Sequence, residues 1–486
     1  MTDPTLALLG GRPVRTRPFV VEPMVDEIEE RLVLEAVREK NFSRYIGASA
    51  PDIETTLRLT SEEADLLTDS WHFLGGPHVR AFAAEFAAVF DVPYAIPVSS
   101  ATVGLGVALA AAGVGPGDEV IVPAISYTAS ATAVLLFSAI PVFADVDPET
   151  FCLDPAAVEA AITPRTRAVM PVHLVGNLAD MGRLRAIAAA YRLKIIEDAA
   201  QAIGAGWAGV KAGTLGDAGV FSFQQSKNIM TGEGGMIVTG DVELARRARL
   251  LINHGEVVFD RHHEPADLAN ALGFNFRMPE LCAALGRAQL QKLDLVNEWR
   301  TRNAAVLREG LADIPGIRIP LDQAAAGNHV APVPHLFVAL YDRAAMGVPR
   351  EVFVAALRAE GVPVGTGYVR PMYANPLFLK RTAFGVEGFP WSCRSEPPPR
   401  YEIGMCPVAE RLLDEEFLWF YHIAYSSTEA DMADIVAAVR KVAAARDALA
   451  RLDPASLGGA GAKSQGRLLE RGVAPAQVSG RGGGAS

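Results

Sequence analysis

The chain has 486 residues, a net charge of −11 and a half-apolar composition. That length calls for more than one structural unit, and the acidic balance argues against nucleic acid or an anionic membrane as a partner. The four cysteines form no CxxC pair, so neither a disulfide framework nor a metal site is expected; with no secretory pattern and no apolar span of membrane length, the expected location is cytoplasmic.

In chain order, the first strong pattern is 79–90 (VRAFAAEFAAVF), where Val79, Phe82, Ala83, Phe86 and Phe90 share one helical face. A short run, YAIPVSS, leads into a small-residue helix, ATVGLGVALAAAG, ended by the turn at 115–118 (GPGD). EVIVPA reads as a buried strand, and the alternation repeats. SYTASATAVLLF, PAAVEAAI and ADMGRLRAIAAAY read as helices, and IPVFADV, RAVMPVHL and LKIIED as strands. This alternation predicts an α/β fold with a mostly parallel sheet between helices. Residues 278–298 predict one long helix joining two domains, and HLFVALY and REVFVAALRAEG among Pro- and Gly-rich loops predict a smaller C-terminal α+β domain. The expected organisation is an N-terminal arm and helix over 1–47, a polar insertion over 48–70, a large domain over 71–300, a small domain over 301–452 and a disordered tail over 453–486.

Parallel sheets bind ligands at the carboxyl ends of their strands. After YAIPV come Ser99, Ser100 and Thr102 at the start of a helix, either an anion site or a simple N-cap. The glycines Gly104 and Gly106 fall inside that helix without a third, which excludes a dinucleotide fingerprint. After EVIVPA stands Tyr127, placed to stack on a flat heterocycle or to pack in the core. After LKIIE stands Asp198, a carboxylate that needs a partner or caps a following helix, with Gln201 one turn on. After AGVF stands Ser222, and Lys227 comes just ahead of Thr231-Gly-Glu-Gly-Gly. A lone lysine, a carboxylate, an aromatic and a helix start at successive strand ends are what pyridoxal 5'-phosphate demands: a Schiff-base amine, a partner for the ring nitrogen, a stacking face and a phosphate site. His173, Arg277, Tyr368 and Tyr373 are further candidates for substrate contact, each with a structural alternative.

The segments EDAAQAIGA, FSFQQSKNIMTGEGGMIVTGD and GFNFRMPELCAALGRAQLQKLD resemble the DegT/DnrJ/EryC1/StrS aminotransferases, and the likeness runs from LALLGGRPVR to about Ala445. The resemblance implies a fold type I pyridoxal-phosphate enzyme and a homodimer with shared active sites. It makes Lys227 the Schiff-base residue, Asp198 the partner of the pyridine nitrogen, Gln201 a contact of the ring hydroxyl and Tyr127 the stacking aromatic. Thr102 and Ser222 become phosphate ligands, and Asn275 reaches the phosphate in the neighbouring subunit. Two positions depart from the family pattern, Ala101 where glycine is frequent and Ile203 where histidine is frequent. The expected reaction moves an amino group from glutamate or glutamine to a keto-cyclitol or keto-sugar. The run Phe223-Gln224-Gln225, in place of SFH, resembles members acting on inosose-type cyclitols or making aminohydroxybenzoate. A lysine at 227, where dehydrating relatives carry histidine, favours transamination. Cysteine desulfuration lacks an activating motif at Cys393 or Cys406, and a cofactor-binding sensor lacks a DNA-binding module.

Overall fold

Short, mostly buried apolar runs become the strands of the central sheet. The protein is described here from a computed structural model covering residues 5–40, 42–43, 45, 74–255, 272–320, 330–368, 370–385, 387–393 and 397–454; the expected insertion at 48–70 and the tail from 455 lie outside them. The first five strands are β1 (Tyr94–Val98), β2 (Glu119–Pro123), β3 (Ile140–Ala144), β4 (Thr166–Val169) and β5 (Lys194–Asp198). Short β6 (Gly206–Trp207) and β7 (Val210–Lys211) come next, then β8 (Ala218–Ser222) and β9 (Gly235–Thr239). Seven of these form one sheet in the order β1-β9-β8-β5-β4-β2-β3. Only β9 runs against the others, pairing antiparallel with both β1 and β8. The sheet is therefore mostly parallel, as the alternating pattern predicts.

Helix α1 (Glu27–Arg38) packs on a later helix, over Glu280–Leu290, and the sheet is covered by α2 (Pro77–Phe90), α3 (Ala101–Ala111), α4 (Ala129–Leu135), α5 (Pro155–Ala160), α6 (Met181–Tyr191) and α7 (Val242–Leu251). On α2 the predicted apolar stripe is buried. Phe86 packs on Phe90, Phe221 and Phe223 with ring centroids 4.3, 5.2 and 5.8 Å away, joining the helix to the strand that leads to Lys227. Helix α3 lies close on the sheet because it is glycine-bearing. A Cβ on Gly104 would come 2.9 Å from Val220, and one on Gly106 would come 2.6 Å from Leu136. Those two glycines serve packing, in keeping with the rejected dinucleotide reading.

The single helix predicted over 278–298 is two helices, α8 (Glu280–Leu290) and α9 (Leu293–Leu311). The break comes where the Lys292 backbone leaves helical geometry at φ −103°, ψ 2°. Its ammonium is drawn to Glu29 at 2.6 Å and Asp26 at 2.8 Å, at the start of α1. A buried cation must be paired, and pairing here outweighs helix continuity. The helix expected over 126–137 starts only at Ala129, because residues 126–128 form a turn. No helix comes after Asp198 either; residues 199–204 are turns.

Strands β10 (Ile317–Arg318), β12 (Phe337–Tyr341), β13 (Gly365–Thr366) and β14 (Phe417–Phe420) form an antiparallel sheet in the order β10-β12-β14-β13; β11 (Val330–Ala331) instead pairs with β6. With α9, α10 (Arg350–Ala359) and α11 (Glu429–Ala444) this sheet encloses a second apolar core around Leu307, Phe353, Leu357, Met432 and Ile435. It is the smaller α+β domain of the fold. The N-terminal segment ties onto it. Arg15 pairs with Asp431 and Asp434, each at 2.7 Å, and buried Glu360 accepts the N–H groups of Ala7 at 2.8 Å and Val14 at 3.0 Å. Among the described residues, no helix is long and apolar enough to cross a membrane.

His422 sits against this tie, its ring 4.8 Å from Phe19, and burial, reinforced by Arg15, lowers its pKa to about 4. The unfolded chain takes up this proton near pH 6.5, whereas the folded one refuses it until about pH 4, so stability is lost as pH falls through that window. Replacing His422 with Gln removes the term. The wild type should lose about 2 kcal/mol relative to that variant between pH 7 and pH 5 in urea unfolding.

Candidate active site

Because β1, β2, β5 and β8 run the same way, their carboxyl ends reach one edge of the sheet. At the end of β1, Ser100 caps α3, its Oγ accepting the Val103 N–H at 3.4 Å. Thr102 occupies the first helical turn, partly exposed. Gly235 stands in register between Val98 and Ser222. A Cβ there would lie 2.6 Å from the Ala101 nitrogen, so only glycine lets β9 pass beneath the helix start. The result is a cradle of helix N–H groups and hydroxyls, with the positive end of α3 above it, suited to a phosphate.

At the end of β5, Asp198 is buried. Its Oδ2 accepts from Ser130 Oγ at 2.7 Å, which is itself 2.7 Å from Ser126 Oγ, and its Oδ1 accepts the Ala200 N–H at 3.2 Å. With no helix to cap, Asp198 is a strand-end carboxylate whose burial raises its pKa, only partly offset by Ser130, Ala200 and Lys227. Gln201 is held at both ends of its amide. Oε1 accepts the Val175 N–H at 2.9 Å and Nε2 donates to the Tyr368 hydroxyl at 2.8 Å. Tyr368 thereby joins the site from the loop after β13, its phenol pushed up to about 12 by burial. Tyr127, after β2, is 64% exposed, which rules out core packing and leaves its face open to a flat ligand.

Lys227 stands at the tip of the β8–β9 hairpin. The hairpin narrows through Phe223 N–H to Gly234 O and Gln225 N–H to Gly232 O, each 2.9 Å, and Gly232 turns with φ +80°. The Lys227 amine has no hydrogen bond or ion pair among the described residues. Burial lowers its pKa to about 8, with Arg300 adding to the effect and Asp198 opposing it. At pH 7 about one such amine in ten is neutral, against roughly one in a few thousand for an ordinary lysine. A neutral amine is the form that attacks a carbonyl.

Asn275 is exposed and accepts from Arg277 Nε at 2.9 Å, while Arg277 also donates to Asn253 at 2.6 Å and bridges Val98 on β1. Two candidates for substrate contact prove structural. His173 is fully buried, donating from Nε2 to Glu197 at 2.9 Å and accepting the Ala179 N–H at Nδ1. Glu197 also takes the N–H groups of Gly213, Leu215 and Gly216, so the pair anchors the end of β5. Tyr373 is buried with its hydroxyl on Glu410. The sequence reading missed Ser126 and Ser130 behind Asp198, and Arg300, His335 and Tyr421 behind Lys227. The i, i+4 spacing of the serines was visible; nothing local marks the other three.

A poised amine, a desolvated carboxylate, an open aromatic face and an anion cradle fit pyridoxal phosphate at amine, ring nitrogen, ring face and phosphate. No cluster of potential metal ligands occurs among the described residues. Fold and site together define the fold type I class of pyridoxal-phosphate-dependent enzymes. The chain belongs to the DegT/DnrJ/EryC1/StrS aminotransferase family, whose profile matches residues 58–394. It is 38% identical to an L-glutamine:2-deoxy-scyllo-inosose aminotransferase of Streptoalloteichus tenebrarius, over 90% of this chain and 97% of that one. Among solved structures, it resembles DesI in the presence of its TDP-sugar product (TM-score 0.70, 30% identity, 92% of this chain and 98% of that one). It also resembles 3-amino-5-hydroxybenzoic acid synthase (TM-score 0.70, 28% identity, 90% of this chain and 100% of that one).

Acylation of the full-length, carbonyl-free protein should find Lys227 the fastest lysine at pH 7, with a half-maximal rate near pH 8. Peptide mass spectrometry across pH 6–9 checks this; a midpoint above pH 9.5 would remove the case for a neutral amine.

Proposed function

We propose that this protein transfers the amino group of L-glutamine or glutamate to a ketone on a cyclitol ring, using pyridoxal phosphate, as a homodimer. The single observation that carries the reading is the placement of the Lys227 amine and the buried Asp198 carboxylate at the carboxyl edge of one sheet, within electrostatic reach of each other. The cyclitol acceptor and glutamine donor rest on the inosose aminotransferases that match along most of their length. The run Phe223-Gln224-Gln225 ahead of Lys227 fits the same branch.

The cofactor, when bound, supplies the carbonyl and an electron sink for the carbanion of the donor. Lys227 would hold the cofactor through its amine and, once free, would act as base and acid at the α-carbon of the donor. Asp198, pushed toward its neutral form by burial, would be the partner of the ring nitrogen, with Ser130 and the Ala200 N–H holding its two oxygens in place. Tyr127 would cover one ring face, Gln201 would stand beside the ring hydroxyl, and Thr102 and Ser222 would take the phosphate. Asn275, exposed on the side of β1, serves the site of the second subunit. Tyr368 borders the acceptor. The boundaries read from the sequence, a large domain over 71–300 and a small one over 301–452, put this site at their junction.

The visible spectrum of the purified protein tests this. A yellow band that bleaches on adding L-glutamine, and returns on adding an inosose, is the expected result. Return only with a nucleotide keto-sugar would move the acceptor class, and absence of any band after adding pyridoxal phosphate would overturn the reading. Lys227→Ala should abolish turnover, and Asp198→Ala should slow it by about a hundred- to thousandfold in single-turnover assays.

A further inference from the structure

Among the described residues, a positively charged side chain is buried behind the reacting lysine with no acid paired to it. Arg300, on α9, is 3% exposed. Its Nη1 donates to the His335 carbonyl at 3.0 Å, its Nε has no partner, and its other neighbour is the Tyr421 hydroxyl. No carboxylate pairs with it among the described residues. Leaving a guanidinium so placed is costly, and a well-packed apolar side chain would be the cheaper filling. The groups around it all touch the hairpin tip. Tyr421, just past β14, donates to the Ser226 carbonyl at 2.9 Å. Asn228 donates to Asn297 at 3.0 Å, and its Oδ1 faces His335 Nδ1 at 3.4 Å. His335 is itself anchored, its N–H donating to the Val175 carbonyl at 2.9 Å. Both neighbours of Lys227 in the chain are therefore gripped from outside the hairpin.

We propose that Asn228, Asn297, Arg300, His335 and Tyr421 form a clamp of positioning residues that fixes the hairpin tip, and that Arg300 is the fixed charge keeping the Lys227 amine reactive. The proposal rests on Lys227 being the reacting amine. The titratable groups facing that amine are Asp198 from β5, Arg300 from α9 and His335 ahead of β12, while Tyr421 after β14 faces Arg300. Asp198 favours the ammonium and Arg300 opposes it. Burial holds His335 neutral and raises the Tyr421 phenol, so neither changes charge between pH 6 and pH 9. Arg300, lowered to about 10 by burial, stays charged over the same range.

Two measurements on the full-length, carbonyl-free protein test it, without cofactor or turnover, so they fail separately from the amine-transfer reading. The first is the pH midpoint of Lys227 acylation. Arg300→Met should raise it and cut labelling at pH 7, and Arg300→Lys should restore it. A wild-type midpoint in Arg300→Met, or an equal shift in Arg300→Lys, would overturn the electrostatic role. The second is hydrogen–deuterium exchange over residues 224–231. Tyr421→Phe should speed it about tenfold, the worth of one hydrogen bond, while leaving the midpoint in place. Unchanged exchange would overturn the clamp, and this variant decides the matter should Arg300→Met not fold.

Discussion

The site depends on two opposite charges being desolvated near one another without pairing. Burial pushes the Asp198 carboxyl up and the Lys227 amine down, toward the uncharged form of each. A direct ion pair would restore both charges and leave the amine unreactive. The fold prevents it by giving Asp198 other donors, Ser130 and the Ala200 N–H, and by fixing Lys227 on a hairpin tip of its own. The serine pair, the Glu197–His173 anchor under β5 and the interlocked phenylalanines beneath β8 all hold that separation. What stability these buried groups cost is offset by the two apolar cores, and the cost is confined to one edge of one sheet.

The strand-end logic accounts for how much was legible. Strands read from apolar runs came out where the runs are, because a buried parallel strand leaves little freedom in what its residues must be. Asp198, Ser222 and Lys227 stand out because each lies at or just past the carboxyl end of a strand, a position the topology singles out before any side chain is placed. Tyr127 was ambiguous in sequence because an aromatic packs or stacks equally well; its exposure decides. The misses share a cause. The break at Lys292 depends on Asp26 and Glu29, more than 250 residues away, and no local propensity reports a distant carboxylate. Arg300, His335 and Tyr421 lie on three separate elements, and only the closed fold brings them behind Lys227. Gln201 was assigned a helical turn after Asp198, and the residues there are turns because its amide is tied to Val175 and Tyr368 instead.

Glycine tells the same story in both directions. Inside α3 the glycines tempted a nucleotide reading, yet they are there to let a helix lie close on a sheet. Gly235 looks like the end of a flexible turn, yet it is the rigid point where a strand passes under a helix start. The pattern of glycines matters less than what stands opposite each one.

The reversed direction of β9 has a consequence for how this protein can vary. A helical crossover between parallel strands can be lengthened or shortened by whole turns while its ends stay put. The connection bearing Lys227 is a hairpin, closed on itself at Phe223–Gly234 and again at Gln225–Gly232. It acts as a calliper: the count of residues from strand to tip sets the reach of the amine. One residue gained or lost on either arm would turn the lysine to the opposite side of the ribbon. Variation can therefore change the side chains of this ribbon but not its length.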